Sequence, residues 1–567
     1  MKLAAYLSLA SLLAAQPAAP PRGGAGRRPV PAVEKTPTKP EDLCALEGQV
    51  LNSVTGEPIR KAALTLRPVE FRGSEPQAST GTDAGGTFAM KGIEPGKYRL
   101  WVERNGFVRQ EYGARSSGRP GTTLTLEKGQ KLKGLVFKLV PHSVITGRIV
   151  DEEGEPVANV AVQVMRTGFL QGRRQLMPMG GAQTNDLGEY RIYGIAPGKY
   201  YLSAVYRRMN MFGGTVDRSA GEAPPDESYA PTYYPGSTDP AAAAQLDIPS
   251  GGEVRGISLS LQRTRTVRVR GKVVNPGGRL AGGAVFLTPR GPSVGMMSMM
   301  QRNATNWQQA TGAFEIRGVT PGSYTLAADL FQENKRMTAR LPLEVGGSNV
   351  DELVLTFTPG GELQGTVKID GQAETSLGEI NVSLRPREMQ FFGGASGGRV
   401  KEDGTFTLQG VSPDTYTLSV FGMPPGFYLK AARLGDLDAL EKGLDFTQGV
   451  GAGAMEVVIS AAGGQVEGVV MDAKQQPAPG ATVVLAPDAD RRSQSHLFKT
   501  VTTDQNGRYT IQGIAPGDYQ LFAFEDVERG GEQDPEYLKP FEKTAEKITI
   551  RENGRETKQL KQIPAES

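Results

Sequence analysis

Two histidines, His142 and His496, and one cysteine, Cys44, are all the imidazole and thiol chemistry that 567 residues provide. A zinc hydrolase needs imidazole and carboxylate ligands around its metal, and neither histidine is followed three residues later by a glutamate. A Ser-His-Asp or Cys-His nucleophile would have to draw on the same two imidazoles. His142 lies in a linker before a strand and His496 in a polar stretch, so both read as exposed loop histidines. Cys44 follows Glu41-Asp42-Leu43 and reads as a half-buried residue opening a strand. Without a second cysteine there is no intramolecular disulfide, and stability must come from packing.

Carboxylates are plentiful but poorly organised for metal. The turns DEEGEP (151–156) and TDQNGRY (503–509) resemble calcium loops only in outline, since the twelfth position counted from Asp504 is Ala515 where a bidentate glutamate is required. A hairpin turn at Asn506-Gly507 accounts for the second stretch without an ion. No metal and no cofactor is expected. A carboxylate-pair glycosidase would leave no local signature and stays open as the enzymatic alternative.

Three further groups could bind. Tyr229, Tyr233 and Tyr234, in YAPTYYPGSTDP, could stack on sugar rings or fold back as a packed loop. RRQLMPMGG, GMMSMMQRNATNW and EMQFFGGASGG read as mobile, adaptable methionine- or aromatic-bearing loops. Lys272 and Lys368 stand on first strands where an isopeptide donor could be placed, but surface lysines explain them equally.

These groups must be positioned by short strands. Seventy-three glycines and 39 prolines sit among alternating Val, Leu, Thr and Tyr, a composition for strands and turns rather than long helices. The chain aligns with itself five times. TDAGGTFAMKGIEPGKYRL, TNDLGEYRIYGIAPGKYYL, TGAFEIRGVTPGSYTL, KEDGTFTLQGVSPDTYTL and TDQNGRYTIQGIAPGDYQL end at Leu100, Leu202, Leu326, Leu418 and Leu521. The glycine before Ile or Val recurs at Gly92, Gly194, Gly318, Gly410 and Gly513, a spacing of about a hundred residues, which is one domain. Each copy is preceded by a strand-turn-strand phrase such as TGRIVDEEGEPVANVAVQV and followed by a last strand such as GLVFKLV.

In APGDY, Pro516 presets φ and Gly517 is expected to take positive φ, giving a type II turn; Asp414 replaces the glycine in the fourth copy, where a type I turn is expected. Tyr98, Tyr200, Tyr324, Tyr416 and Tyr519 all follow this turn. Each is expected to pack its ring in a core and to bond nearby backbone through its hydroxyl, as in a tyrosine corner.

These phrases resemble the carboxypeptidase regulatory-like domain, close to transthyretin-like and Cna B-type sandwiches, whose pattern pairs G-x-V-x-D-x-x-G-x-P with T-D-x-x-G-x-Y-x-x-x-G-[IV]-x-P-G-x-Y. The resemblance runs from about residue 44 to 563, and is looser in the third and fourth copies. YAPTYYPGSTDP and GFYLKAARLGDLD also resemble segments of multi-domain exported proteins of soil bacteria. The resemblance implies prealbumin-like, Ig-like sandwiches and no fixed activity.

The expected all-β architecture is a signal peptide (1–20), a Pro-rich linker (21–43) and five tandem β-sandwiches at 44–140, 141–263, 264–359, 360–461 and 462–567, strung into an elongated rod or arc. The signal rests on Lys2 followed by an apolar run from Leu3 to about Ala15, too short to span a bilayer. With a net charge of +3, no nucleic-acid partner is expected, and no integral membrane segment is expected after signal cleavage. The expected function is that of a secreted, periplasmic or cell-surface binding or scaffolding protein without catalysis, with a polysaccharide or an envelope protein as partner and carbohydrate the leading ligand class. The alternatives are a structural envelope stalk or protein-protein adaptor, and an accessory protein to a glycosidase or peptidase.

Overall fold

The structure, a computed structural model, describes residues 39–565 apart from 70–77, 115–120, 171, 207–226, 291–302, 333–334, 372–374, 388–395 and 529. The signal segment 1–20 and most of the Pro-rich stretch therefore lie outside the described residues, as do all of GMMSMM and EMQFFGGA.

The first sandwich shows the plan. Its strands are β1 (Cys44–Asn52), β2 (Ala63–Pro68), β3 (Ala78–Gly81), β4 (Thr87–Ile93), β5 (Gly96–Glu103), β6 (Gln110–Glu111), β7 (Leu124–Leu126) and β8 (Lys131–Leu139). One sheet runs β4-β1-β8, with β1 antiparallel to β4 and parallel to β8; the other runs β3-β2-β5-β6, with β7 also on β5. Alternate residues such as Leu46, Val50, Leu64, Leu66, Phe88 and Phe137 point between the sheets and are buried, as a period of two requires. The same central strand, flanked by one antiparallel and one parallel neighbour, recurs at Ser143–Val150, Val267–Val274, Gly361–Asp370 and Gly464–Met471. Among the described residues, five large clusters of buried side chains fill the spaces between paired sheets.

Two glycines in the repeated phrases have distinct physical duties. A Cβ on Gly48 would stand 2.1 Å from the Leu135 carbonyl oxygen, and one on Gly147 or Gly468 would stand 1.8 Å from the equivalent oxygen, so the last strand can pass the first only over a bare backbone. The glycine before Ile or Val takes φ between 65° and 75° in all five copies. It is an extra residue in the ladder: Cys44 pairs with Ile93 and Ala45 already with Lys91, so Gly92 forms a bulge.

This corrects the expected turn chemistry. Gly198 and Gly517 have φ of 141°, broader than the roughly 80° of a type II turn, and the left-handed residue is the earlier glycine. At Gly96 and Gly322 a Cβ would sit 3.4 Å from the ring of the following tyrosine, so ring packing favours glycine there. Asp414 meets that position without left-handed backbone, and its carboxylate pairs with Arg340 at 2.7 Å across the third and fourth sandwiches.

The expected rod is also corrected, because the last sandwich touches the first, second and fourth. Thr123 and Asp504 form a parallel bridge; the Thr125 amide donates to Gln505 Oε1 at 3.0 Å and Gln505 Nε2 donates to the Thr125 carbonyl at 2.7 Å. Arg99 Nη2 donates to Thr502 Oγ1 at 2.8 Å. RRQLMPMGG, expected as a mobile loop, is instead strand, within Arg173–Gln183 paired to Val160–Leu170. This long hairpin brings Phe169 to Tyr537 of the last sandwich, with ring centroids 5.7 Å apart in an edge-on contact. Tyr537 lies in a segment after Gly517–Phe524 that includes the short helix Pro535–Leu538 and covers the outer face of the sheet. The strand Thr482–Pro487 is consequently buried on both faces, which explains its unbroken apolar run.

Candidate functional site

The repeated tyrosines act locally. Tyr98, Tyr200, Tyr324 and Tyr519 donate their hydroxyls to the carbonyls of Glu94, Ala196, Thr320 and Ala515 at 2.8 Å, and Tyr416 to that of Ser412 at 2.9 Å. Every bond spans four residues back over the Pro-Gly or Pro-Asp corner. All five rings pack against the cores of their own sandwiches, and burial raises the phenol pKa of Tyr200, Tyr324, Tyr416 and Tyr519.

The aspartate opening the hairpin in the first and fifth copies is likewise used by the turn. Asp504 Oδ1 accepts from the amides of Asn506 and Arg508 at 2.9 Å, and Asp83 accepts from the Thr87 amide and hydroxyl. Those bonds hold the Asp83 carboxyl below its ordinary pKa. Among the described residues, no group of three or more His, Cys, Asp or Glu side chains could hold a metal ion. Cys44 is fully buried rather than half-buried and donates to the Glu127 carbonyl at 3.0 Å.

Tyr229, Tyr233 and Tyr234 are not gathered on one open face. Tyr233 is 5% exposed and packs with Met165, while Tyr234 packs against the core of the second sandwich. Tyr229 meets Tyr206 edge-on at 5.3 Å, on a short strand paired with Arg263–Arg265. Arg263 pairs with Asp151 at 3.0 Å and with Glu153 at 2.8 Å. Burial raises the pKa of Tyr229.

Among the described residues, a cleft of about 660 Å³ lies between the fourth and fifth sandwiches. One wall is the outward face of Asn381–Pro386 and Thr415–Phe421, where alternation places Arg385, Thr417, Ser419 and Phe421. Arg387 continues that face just past the strand and donates Nη2 to the Lys442 carbonyl at 2.6 Å. The Arg385 guanidinium lies 4.9 Å from the centre of the Phe421 ring, whose residue remains 45% exposed. The opposite wall, from the fifth sandwich, brings Ser493, Ser495, His496 and Lys499.

His496 is thus not an exposed loop histidine. Burial pushes its imidazole down to about 4, with Lys499 and Arg491 acting in the same direction against Asp438, so it is neutral at pH 7. Burial also lowers the Lys499 ammonium below the ordinary lysine value. Of the titratable side chains in this cleft, sequence reasoning singled out only His496. LRPRE (384–388), with two arginines on alternate positions at a strand end, was the available signal.

The carboxypeptidase regulatory-like domain family matches residues 45–140, 144–223 and 465–536. Among curated proteins none matches. Among solved structures the chain is similar to the Bacillus anthracis TIE protein at 13% identity and a TM-score of 0.16, covering 56% of this chain and 51% of that one, so it spans about half of that protein's length. It is also similar to the minor pilin of Streptococcus agalactiae (10% identity, TM-score 0.22, 39% and 96% covered). The two B repeat units of the Staphylococcus aureus collagen-binding protein match at 11% identity and a TM-score of 0.13, with 74% and 99% covered. No helix among the described residues is long and apolar enough to cross a membrane. The chain is a tandem β-sandwich protein, three stretches of which match the carboxypeptidase regulatory-like domain family.

Proposed function

We propose that this chain is an exported, non-enzymatic binding or scaffolding protein of five sandwich domains with borders near 140, 263, 359 and 461, and that its ligand is a carbohydrate. The observation that carries the reading is a division of labour between shared and unshared residues. What all five copies share, the corner tyrosine and the bulge glycine, is absorbed by hydrogen bonds and packing inside each copy. Side chains not common to all five copies, among them Arg387, Phe421, His496 and Lys499, line a cleft that exists only because two copies dock. Varied residues on a constant scaffold are where binding concentrates. In this reading Tyr229, Tyr233 and Tyr234 serve packing, and export rests on the signal-like segment 1–20.

The test is a binding screen of the mature chain against polysaccharides, peptidoglycan and envelope proteins, run beside assays for released sugar ends and peptides. Glycan retention without turnover is the expected result. Hydrolysis abolished by a single carboxylate substitution overturns the non-enzymatic reading, and capture of a protein with no glycan bound overturns the carbohydrate reading.

A further inference from the structure

We propose that the cleft between the fourth and fifth sandwiches holds the carboxylates of an acidic polysaccharide, a polyuronate, an inference that rests on the carbohydrate reading above.

Charge is the first argument. Arg385, Arg387 and Lys499 line the cleft, and Glu441 is the one carboxylate among its described lining residues. Some cations elsewhere in these sandwiches are paired: Lys368 meets Glu456 and Lys430 meets Asp370, each at 2.6 Å, and Arg492 meets Glu542 at the same distance. Among the described residues, Arg385, Arg387 and Lys499 have no carboxylate within ion-pair distance. Lys499 is half-buried as well, and a desolvated ammonium gains most from an incoming anion.

Shape and chemistry of the wall supply the second argument. The guanidinium fork suits a planar carboxylate, which accepts two parallel N–H bonds from it. Thr417 and Ser419 stand on the same sheet face and offer hydroxyls to the hydroxyls of a sugar. Phe421 adds an exposed aromatic surface on which the C–H face of a pyranose can rest. Cations, small hydroxyls and one open ring within a single cleft fit a chain of carboxylated sugars better than a neutral glycan, which would leave the cations unanswered. They also fit it better than an acidic peptide, which has no pyranose face to rest on the ring.

The test measures retention of the full mature chain on polygalacturonate, on fully methyl-esterified polygalacturonate, on dextran and on polyglutamate. Polygalacturonate is expected to bind in a salt-sensitive way, and esterification to abolish binding. Arg385→Gln combined with Lys499→Gln is expected to weaken retention roughly tenfold or more, as loss of two charge-assisted contacts implies. Because esterification changes only the ligand, the proposal stays decidable even where the double variant fails to fold. Equal binding of the esterified polymer or of dextran overturns the acidic assignment and leaves the carbohydrate reading standing. Polyglutamate binding without polygalacturonate binding overturns it in favour of an acidic polypeptide. Absence of polygalacturonate binding also overturns it, and the carbohydrate reading falls with it only when every glycan in the wider screen fails.

Discussion

Substituting alanine for equivalent glycines in the first and fifth copies separates local strain from docking. Gly92 and Gly513 have φ of 73° and 65°, so either substitution forces an L-residue into left-handed backbone. That strain costs about 1–2 kcal/mol per residue. A less flexible unfolded chain offsets about 0.4–1 kcal/mol of it. Around Gly92 the added Cβ meets nothing within 4 Å. Gly92→Ala is therefore expected to cost roughly 1 kcal/mol, lowering the melting transition of its sandwich by about 4–8 °C.

At Gly513 the same Cβ would stand 2.4 Å from the Phe427 carbonyl oxygen of the fourth sandwich, about 1 Å short of ordinary contact. Both partners are backbone, so relief requires the two sandwiches to move apart. Gly513→Ala should therefore lower stability further than Gly92→Ala and also disturb the adjoining cleft, where Gly513 is itself a lining residue. Calorimetry of the full chain, resolving separate transitions, reads the first effect; polygalacturonate retention reads the second. Equal melting shifts with unchanged retention in both variants would refute the reasoning, since the fourth and fifth sandwiches would then not be in close backbone contact.

Three other outcomes follow from geometry already described. Tyr519→Phe keeps the buried ring but removes the bond to the Ala515 carbonyl, and should cost about 1 kcal/mol in denaturant titrations, whereas Tyr193→Phe, at a residue 74% exposed, should change nothing. His496, facing Lys499, Arg491 and Asp438, has its pKa lowered from 6.5 to about 4 on folding. The stability it permits is full above about pH 6.5 and falls by about 3 kcal/mol as the pH drops toward 4, a slope that denaturation of His496→Gln should lack. Gln505→Ala together with Arg99→Ala removes three of the hydrogen bonds joining the last sandwich to the first, leaving the Thr123–Asp504 bridge, and small-angle scattering should show a larger radius of gyration; an unchanged radius would refute the dependence of this contact on those bonds.

Much of the fold was legible because its signals are local and repeated. Period-two alternation, the Pro-Gly corner and its tyrosine each recur at the same offset, so five weak hints reinforce one another. The turn geometry was misread because Gly517 sits beside a proline and looks like the turn residue, whereas Gly513 bears the left-handed strain for a reason visible only in the ladder register. The contacts of the last sandwich were illegible for a different reason. Phe169 and Tyr537, or Thr125 and Gln505, are ordinary residues whose partners lie hundreds of positions away. Arg385 and Lys499 likewise acquire meaning only when two sheets are set face to face.

The contact between the first and last sandwiches also has a mechanical meaning. It ties residues 380 positions apart through a few side-chain and backbone hydrogen bonds, each worth about 1 kcal/mol net, while every sandwich is held by a whole buried core. Tension applied along the chain would load this tie before it loads any core, and the tie would part first. The molecule then gains length by unhinging intact modules rather than by unravelling them, and re-forms the tie when the load is removed. The cleft between the fourth and fifth sandwiches would in this way keep its shape while the rest of the chain gives slack, as a fuse spares the circuit behind it.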